Sequence, residues 1–211
     1  MGAEALQALF RPLYTTSFVL DAMLADSPAK TLLLTSASSK TALGLAQAAR
    51  GRQRTVGLTS AANRGFVAAT GYFDAIIDYG DTAAIAALDG PVALVDFSGN
   101  GAVRRDVHVV LGDRLIESHI VGDTHWTAEN GVPLPGVKPQ GFFAPTVIVD
   151  RVKQWGSDGF EQRLAAAWRE FIASTEWLNI VEAAGADAAM RHWRAMAGGA
   201  IDPAEGLVLS I

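Results

Sequence analysis

Short apolar runs alternate with longer amphipathic segments along the first half of the chain. The run Thr31-Leu-Leu-Leu-Thr-Ser36 is apolar between polar ends, the pattern of a strand buried on both faces. The following segment, Lys40–Ala49, carries Leu43, Ala46 and Gln47 on one helical stripe. This strand and helix predict the first unit of a repeating arrangement.

The same alternation continues to residue 122. Further strands are predicted at 55–59, 75–79, 92–97 and 115–121, with helices at 61–70, 82–88 and 101–111 between them. Strands that alternate with helices predict a parallel sheet, because each helix returns the chain to the same end of the sheet. The predicted fold class is therefore α/β, a Rossmann-like doubly wound parallel sheet with helices on both faces.

The whole chain is predicted to form a single domain in four parts. A leading helical segment covers 1–28, βαβ units cover 29–122, an irregular loop rich in proline covers 123–150, and helices with closing strands cover 151–211. In the last part, Phe160, Leu164 and Phe171 recur at helical spacing and predict a long amphipathic helix. A chain of 211 residues can bury one substantial core, which agrees with one domain.

Charge and composition argue against several functions. The net charge is −5 and the basic residues form no stripe, so we expect no nucleic-acid partner. No apolar run approaches the roughly 20 residues that span a bilayer, and the start of the chain is unlike a signal peptide. We therefore expect no membrane association and a cytoplasmic location. The absence of cysteine excludes disulfides and thiolate metal sites, and the alanine-rich, arginine-rich composition is typical of a high-GC bacterium.

The turn after the first strand is the main candidate for ligand binding. It reads Thr35-Ser-Ala-Ser-Ser-Lys-Thr41 and joins a strand to a helix, where backbone N–H groups and the helix N-terminus favour a phosphate. Ala37, Ser38 and Ser39 replace the glycines of the usual fingerprint, and only Gly44 can take the close helix-packing role. The turn predicts a nucleotide site with a degenerate glycine pattern.

The end of the second strand bears on the type of nucleotide. The stretch Leu58–Arg64 has no carboxylate to hold a free ribose, whereas its hydroxyls and Arg64 suit a 2′-phosphate. NADP is therefore favoured over NAD. An equally open interpretation is that Thr59 and Ser60 only cap the next helix and Arg64 lies on its surface.

The fourth strand ends in Asp96-Phe-Ser-Gly-Asn-Gly101. Glycines at this edge would let a nicotinamide ribose lie against the backbone of Phe97 and Ser98. A plain strand-to-helix turn explains the same residues equally well.

Other chemistries fit less well. A P-loop needs glycine before the lysine and again five residues earlier, where this chain has Ser39 and Leu34. His108, His119 and His125 lack metal-ligand spacing, so we expect no metal and place these histidines on the surface or in loops. The Gly-x-Ser-x-Gly elbow of serine hydrolases is absent.

Several stretches carry a family resemblance. Leu13-Tyr-Thr-Thr-Ser-Phe18 and the ending Glu205-Gly-Leu-Val-Leu-Ser-Ile211 resemble the cofactor domain of the medium-chain dehydrogenase/reductase superfamily, close to its zinc-free, quinone-oxidoreductase-like branch. Together with Ser36-Ala-Ser-Ser-Lys-Thr-Ala-Leu-Gly44 and Gly141-Phe-Phe-Ala-Pro145, Arg11–Phe18 also looks like an uncharacterised bacterial family within that group.

The resemblance implies a set of site residues. It places the turn residues at the pyrophosphate, the second-strand residues at the adenosine ribose, and Thr15 or Thr16 near the nicotinamide. The implied residues of the turn and the second strand are Ser36, Ala37, Ser38, Ser39, Lys40, Thr41, Thr59, Ser60 and Arg64. No catalytic acid is named, since Tyr14 could donate a proton but burial in a helix is the commoner role of such a tyrosine.

The resulting hypothesis is an NADP(H)-binding domain of a zinc-free reductase, acting on an enone, quinone or small carbonyl when complete. The superfamily's N-terminal GroES-like substrate domain is expected to be absent, and the substrate is unknown. The alternative is a degenerate Rossmann domain that serves as a non-catalytic binding or assembly module, with Phe142 and Phe143 as a contact surface. The resemblance also implies a possible homodimer through the fifth-strand edge, Leu115–Val121.

Overall fold

The computed structural model describes residues 3–122, 134–198 and 201–210. The helices are α1 (Ala3–Leu24), α2 (Lys40–Ala48), α3 (Ala61–Thr70), α4 (Thr82–Ala86), α5 (Gly101–Leu111), α6 (Ala144–Trp155), α7 (Ser157–Ala173) and α8 (Ala186–Ala197). The strands are β1 (Thr31–Leu34), β2 (Arg54–Thr59), β3 (Ala75–Asp78), β4 (Val92–Asp96), β5 (Leu115–Ile120), β6 (Gln140–Gly141), β7 (Asn179–Ala184) and β8 (Glu205–Ser210).

Six strands form the main sheet in the order β3-β2-β1-β4-β5-β6, and every neighbouring pair is parallel. The direction of winding reverses between β1 and β4. The predicted doubly wound Rossmann-like fold is therefore confirmed.

Alternate side chains of β1 point into two separate cores. Leu32 and Leu34 join a cluster that includes residues of α1, α2 and α7, whereas Leu33 joins a cluster with residues of α4 and α5. Because both faces of the strand are covered by helices, a continuous apolar run is what the sequence needs there.

β7 and β8 form a separate two-stranded parallel sheet, connected through α8. This small sheet rests on α1, where Gly206 of β8 lies against the side chain of Leu9. The outer face of α8 exposes Met190, Trp193 and Met196.

The irregular loop predicted for 123–150 is wrong in its last part. Residues 123–133 lie outside the described residues, but β6 and the first turns of α6 fall within the predicted loop. Pro145 stands in the first turn of α6, where proline has no hydrogen bond to lose and presets the helical φ. The proline is therefore compatible with a helix start.

The strand whose edge was predicted to form a dimer, β5, is not the outermost strand of the described sheet. β6 pairs with His119 and Ile120 of β5, so the outermost strand of the sheet is β6. Within the described part of the chain, no helix is long and apolar enough to cross a membrane.

Candidate nucleotide-binding site

A crevice is expected where β1 and β4 diverge, because ligands of doubly wound sheets bind at the carboxyl ends of the strands beside the reversal. The turn Thr35–Thr41 follows β1 and the loop Phe97–Gly99 follows β4. The hydroxyl of Thr35 donates to the Asp96 carboxylate at 2.7 Å, which joins the two segments.

The turn is closed largely by its own hydrogen bonds. The Ser36 N–H donates to the Tyr79 hydroxyl at 2.8 Å, the Ala37 N–H to the Leu58 carbonyl at 3.0 Å, and the Ser39 N–H to the Ser36 carbonyl at 2.7 Å. Ser36 adopts a left-handed backbone with φ of +47°, which is uncommon outside glycine. These three amides are committed within the protein.

Three other amides at the same place remain available. Across the described ranges, the N–H groups of Ser38, Lys40 and Thr41 form no hydrogen bond. Ser39 caps α2 by accepting from the Ala42 N–H at 3.3 Å. The amino end of α2 therefore presents unpaired donors and the positive end of the helix dipole.

The Lys40 side chain points away from these amides to the C-terminal segment. Its ammonium donates to the carbonyl of Glu205 at 2.7 Å and to that of Pro203 at 3.4 Å. Burial lowers the pKa of Lys40, and the nearby carboxylates of Asp202 and Glu205 partly oppose that shift. Lys40 thus ties the start of β8 to the turn, whereas the resemblance placed it at the pyrophosphate.

Two of the residues expected at the adenosine ribose have structural roles in the fold. Thr59 is buried at the end of β2, and Ser60 caps α3 by accepting from the Asn63 N–H at 3.4 Å. The capping interpretation, left open by the sequence, therefore describes Ser60. Asn63 also donates from its side chain to the Ser38 hydroxyl at 3.1 Å, linking α3 to the turn.

Arg64 is paired with a carboxylate that sequence reasoning missed. Its Nη1 lies 3.1 Å from Oδ1 of Asp78, and both side chains are about half exposed. Asp78 ends β3 and is the register partner of Thr59. The position of Asp78 at the end of a predicted strand was the available signal, but it becomes relevant only once β3 is known to adjoin β2.

Gly57 was also missed. A Cβ atom there would lie 2.7 Å from Cβ of Ala37, so the turn can approach β2 only because this strand position is glycine. A glycine inside an apolar strand is the sequence signal for such close approach.

The resemblance placed Thr15 or Thr16 of α1 near the nicotinamide. In the structure, both hydroxyls form hydrogen bonds within α1 itself. The hydroxyl of Thr16 donates to the Pro12 carbonyl at 3.2 Å, and that of Thr15 to the Arg11 carbonyl at 2.8 Å. Tyr14 is buried and donates to the Ala167 carbonyl at 3.0 Å. Burial raises the pKa of Tyr14, which agrees with a core role and not with proton donation.

Two histidines predicted for the surface or loops are buried, so that expectation is wrong. His119 lies on β5 with its Nε2 at 2.9 Å from Oε2 of Glu117. His108 lies on α5, with Nδ1 at 3.0 Å from the Pro135 carbonyl and Nε2 at 3.0 Å from the Ser118 hydroxyl. Both are polar groups satisfied inside the fold. His125 lies outside the described residues.

We expect the burial of His108 to make the fold less stable in mild acid. Desolvation lowers the pKa of His108, so the unfolded chain binds this proton more readily than the folded chain. The contribution of His108 is complete above the usual histidine pKa of roughly 6.5, and it is lost as the pH falls from there toward the lower folded-state pKa. Urea unfolding of the parent and of His108→Gln at about pH 7.5 and about pH 5.5 measures this. The variant should lose less free energy of unfolding on acidification, and equal losses in the two proteins would contradict the assignment.

The fold is a doubly wound parallel α/β domain of the Rossmann-like type. The chain belongs to the family described as "Protein of unknown function (DUF2855)", which matches residues 2–202. No curated protein matches the chain.

Solved reductase structures share the fold. CurA from Vibrio vulnificus in complex with NADPH is 15% identical with a TM-score of 0.64, covering 94% of this chain and 61% of that one. A putative NADPH:quinone reductase from Mesorhizobium loti is 11% identical with a TM-score of 0.59, covering 81% and 52%. An oxidoreductase from Salmonella enterica in complex with NADP is 13% identical with a TM-score of 0.57, covering 94% and 60%.

At these identities the likeness is one of fold, and this chain spans 52% to 61% of the length of those three proteins. The predicted resemblance to reductases is confirmed at the level of the fold, and the predicted membership of an uncharacterised family is confirmed by the family match.

Proposed function

We propose that this chain is an NADP(H)-binding domain of a zinc-free, reductase-type protein. The observation that carries the proposal is the amino end of α2, which lies at the strand-order reversal with the N–H groups of Ser38, Lys40 and Thr41 unpaired within the described residues. Such a helix end binds phosphate through its amides and its dipole. The structures of similar fold that hold NADPH or NADP add support.

In this proposal the chain binds and orients the dinucleotide. The nicotinamide, when bound, would supply the hydride. The chain's own groups would hold the pyrophosphate at the amino end of α2 and the adenosine end beside Arg64. The loop Phe97–Gly99 would lie beside the nicotinamide-bearing half. An enone, quinone or small carbonyl is the proposed substrate class of a complete protein, and no residue of this chain is assigned as catalytic acid.

Calorimetric titration of the purified chain with NADPH, NADP and NADH tests the proposal. We expect heat of binding and a higher melting temperature with NADPH and NADP, and weaker effects with NADH. The absence of both signals with all three ligands would contradict the proposal.

That negative outcome would favour the second candidate, a non-catalytic binding or assembly module. It is supported by the internal hydrogen bonds of the Ser36, Ala37 and Ser39 amides and by Phe143, which is 67% exposed beside the edge strand β6. Phe142 packs against the core and does not share this surface. A homodimer through the fifth-strand edge, Leu115–Val121, and a cytoplasmic location both stay predictions, and sedimentation velocity measures the first.

The charges at the adenosine end make a prediction about selectivity. Arg64 has donors beyond the one that meets Asp78, so it can also hold a 2′-phosphate, while the Asp78 carboxylate repels that phosphate. We expect Arg64→Ala to weaken NADPH binding about tenfold or more and Asp78→Asn to strengthen it severalfold, with little change for NADH. Calorimetry with both cofactors measures these changes.

Arg50→Ala is the matched control, since Arg50 is an exposed arginine in the connection between α2 and β2. It should bind both cofactors like the parent. If Arg64→Ala binds NADPH as tightly as the parent does, Arg64 has no part in phosphate selectivity.

A further inference from the structure

One fully buried carboxylate, that of Asp96, lies where the carboxyl ends of β1 and β4 meet. Oδ1 of Asp96 accepts from the hydroxyls of Thr35 and Ser98, each at 2.7 Å, and from the N–H groups of Ser98 at 3.0 Å and Gly99 at 3.2 Å. Oδ2 accepts from Nη1 of Arg104 at 2.7 Å. Both oxygens of this side chain are therefore occupied by the protein.

Thr35 completes the same network from the end of β1. Its hydroxyl oxygen accepts from the N–H groups of Phe97 at 2.9 Å and Ser98 at 3.1 Å. Together with the bond from Gly99 to Asp96, all three amides of the loop Phe97–Gly99 point inward. The position of the loop is thus set by buried groups.

The end of β5 is joined to the same point. The Asp96 carbonyl accepts from the N–H groups of Val121 at 2.9 Å and Gly122 at 3.2 Å. A Cβ atom on Gly122 would overlap the carbonyl oxygen of Phe97, so this approach needs glycine. The carboxyl ends of β1, β4 and β5 therefore meet around one residue.

The Arg104 guanidinium stabilises the buried Asp96 carboxylate by pairing with it. A buried carboxylate is unfavourable unless it is paired and hydrogen-bonded. Arg104 comes from α5, directly after the loop, and its side chain is 18% exposed against 1% for Asp96. Removing the guanidinium leaves Asp96 charged and unpaired, which favours rearrangement of the loop.

We propose that Asp96 and Arg104 are positioning residues that hold the loop Phe97–Gly99 in the conformation that receives the nicotinamide-bearing half of the dinucleotide. This inference rests on the proposed function. The strand order places β2 and β3 under the adenosine half and β4 to β6 under the other half, since a dinucleotide crosses the sheet at the reversal. In this role Asp96 acts through the loop, because its side chain is 1% exposed and both of its oxygens are held by the protein, and Arg104 acts through Asp96.

Comparing the binding of the whole dinucleotide with the binding of its adenosine half tests this role. The full chain is titrated with NADPH and with 2′,5′-ADP, which carries only the adenosine half. Arg104→Met should weaken NADPH binding about tenfold or more and leave 2′,5′-ADP within about twofold, and Arg104→Lys should recover part of the loss. Thr35→Val removes the hydroxyl from the same network and should give the same split if Arg104→Met does not fold.

Arg151→Met is the matched control. Its guanidinium is 14% exposed and pairs with Asp26 at 2.8 Å, outside the crevice, so both affinities should stay at the parent values. Hydrogen exchange on the unliganded proteins should show protected amides at 97–99 in the parent and faster exchange there in Arg104→Met.

An equal loss of both affinities, or no loss of either, would overturn the positioning role. A parent chain that binds neither ligand would instead refute the proposed function, and parent-like exchange at 97–99 in Arg104→Met would refute the inference without any ligand.

Discussion

Replacing Phe171 with alanine is expected to lower the free energy of unfolding by about 3–5 kcal/mol, because the change empties a fully buried aromatic site. The Phe171 ring stacks on Tyr14 with centroids 4.5 Å apart and meets Phe10 edge-on at 5.3 Å. Both partners lie on α1, so this ring joins α7 to α1. Urea unfolding with linear extrapolation measures the loss.

Trp193→Ala is the control for this variant. Trp193 lies on the outer face of α8 and is 67% exposed, so its removal should change the free energy of unfolding by less than about 0.5 kcal/mol. If the two variants are equally stable, the packing of α7 on α1 does not hold the fold together as the structure indicates.

The sheet could be predicted from the sequence because its signals are local. β1 and β4 are continuous apolar runs, and their burial on both faces follows directly from the parallel arrangement. Helix ends were marked in the same way, for example by Gly71, which ends α3 with φ of +66°. Each of these features depends on neighbours within a few residues.

The candidate site was predicted less well because its contacts join distant positions. The sequence left Arg64 open as a phosphate ligand or a surface residue. Its partner Asp78 is 14 positions away, on a strand whose placement beside β2 the sequence does not state. Lys40 bonds to Glu205, which is 165 positions away. Residue type predicts what such a side chain can bind, whereas the tertiary arrangement decides which acceptor it meets.

Asp96 is another residue whose partners are decided by the tertiary arrangement and not by its local sequence. In the sequence Asp96 is the polar residue near the end of a predicted strand, which does not reveal its burial. Its five donors come from Thr35, Arg104 and its own loop, so its burial becomes intelligible only when β1 lies beside β4. The serines that replace glycine in the turn Thr35–Thr41 have a related effect, since the turn keeps its shape with Ser36 in a left-handed conformation and three amides turned inward.

Gly44→Ala is expected to destabilise the chain by about 1–3 kcal/mol, although alanine is the better helix former. A Cβ atom at this position would lie 2.7 Å from Oγ and 3.0 Å from Cβ of Ser17, and 3.2 Å from Cδ2 of Tyr14. The Ser17 hydroxyl cannot move freely, because it donates to the Thr41 carbonyl at 2.8 Å. The methyl group must therefore push α1 away from α2, whose amino end carries the unpaired amides of the proposed pyrophosphate site. Urea unfolding and NADPH titration of the variant measure the two consequences.

Gly65→Ala provides the matched control inside another helix. A Cβ atom on Gly65 of α3 would meet nothing within 4 Å, so this change should stabilise the chain by about 0.5–1 kcal/mol through helix propensity alone. Adding Ser17→Ala to Gly44→Ala removes the atom at 2.7 Å and should recover part of the lost stability, but not all of it, because the contact to the Cβ of residue 17 remains. If Gly44→Ala were stabilising like Gly65→Ala, the close approach of α1 and α2 at Gly44 would not exist, and the packing role that the sequence assigned to this glycine would be wrong.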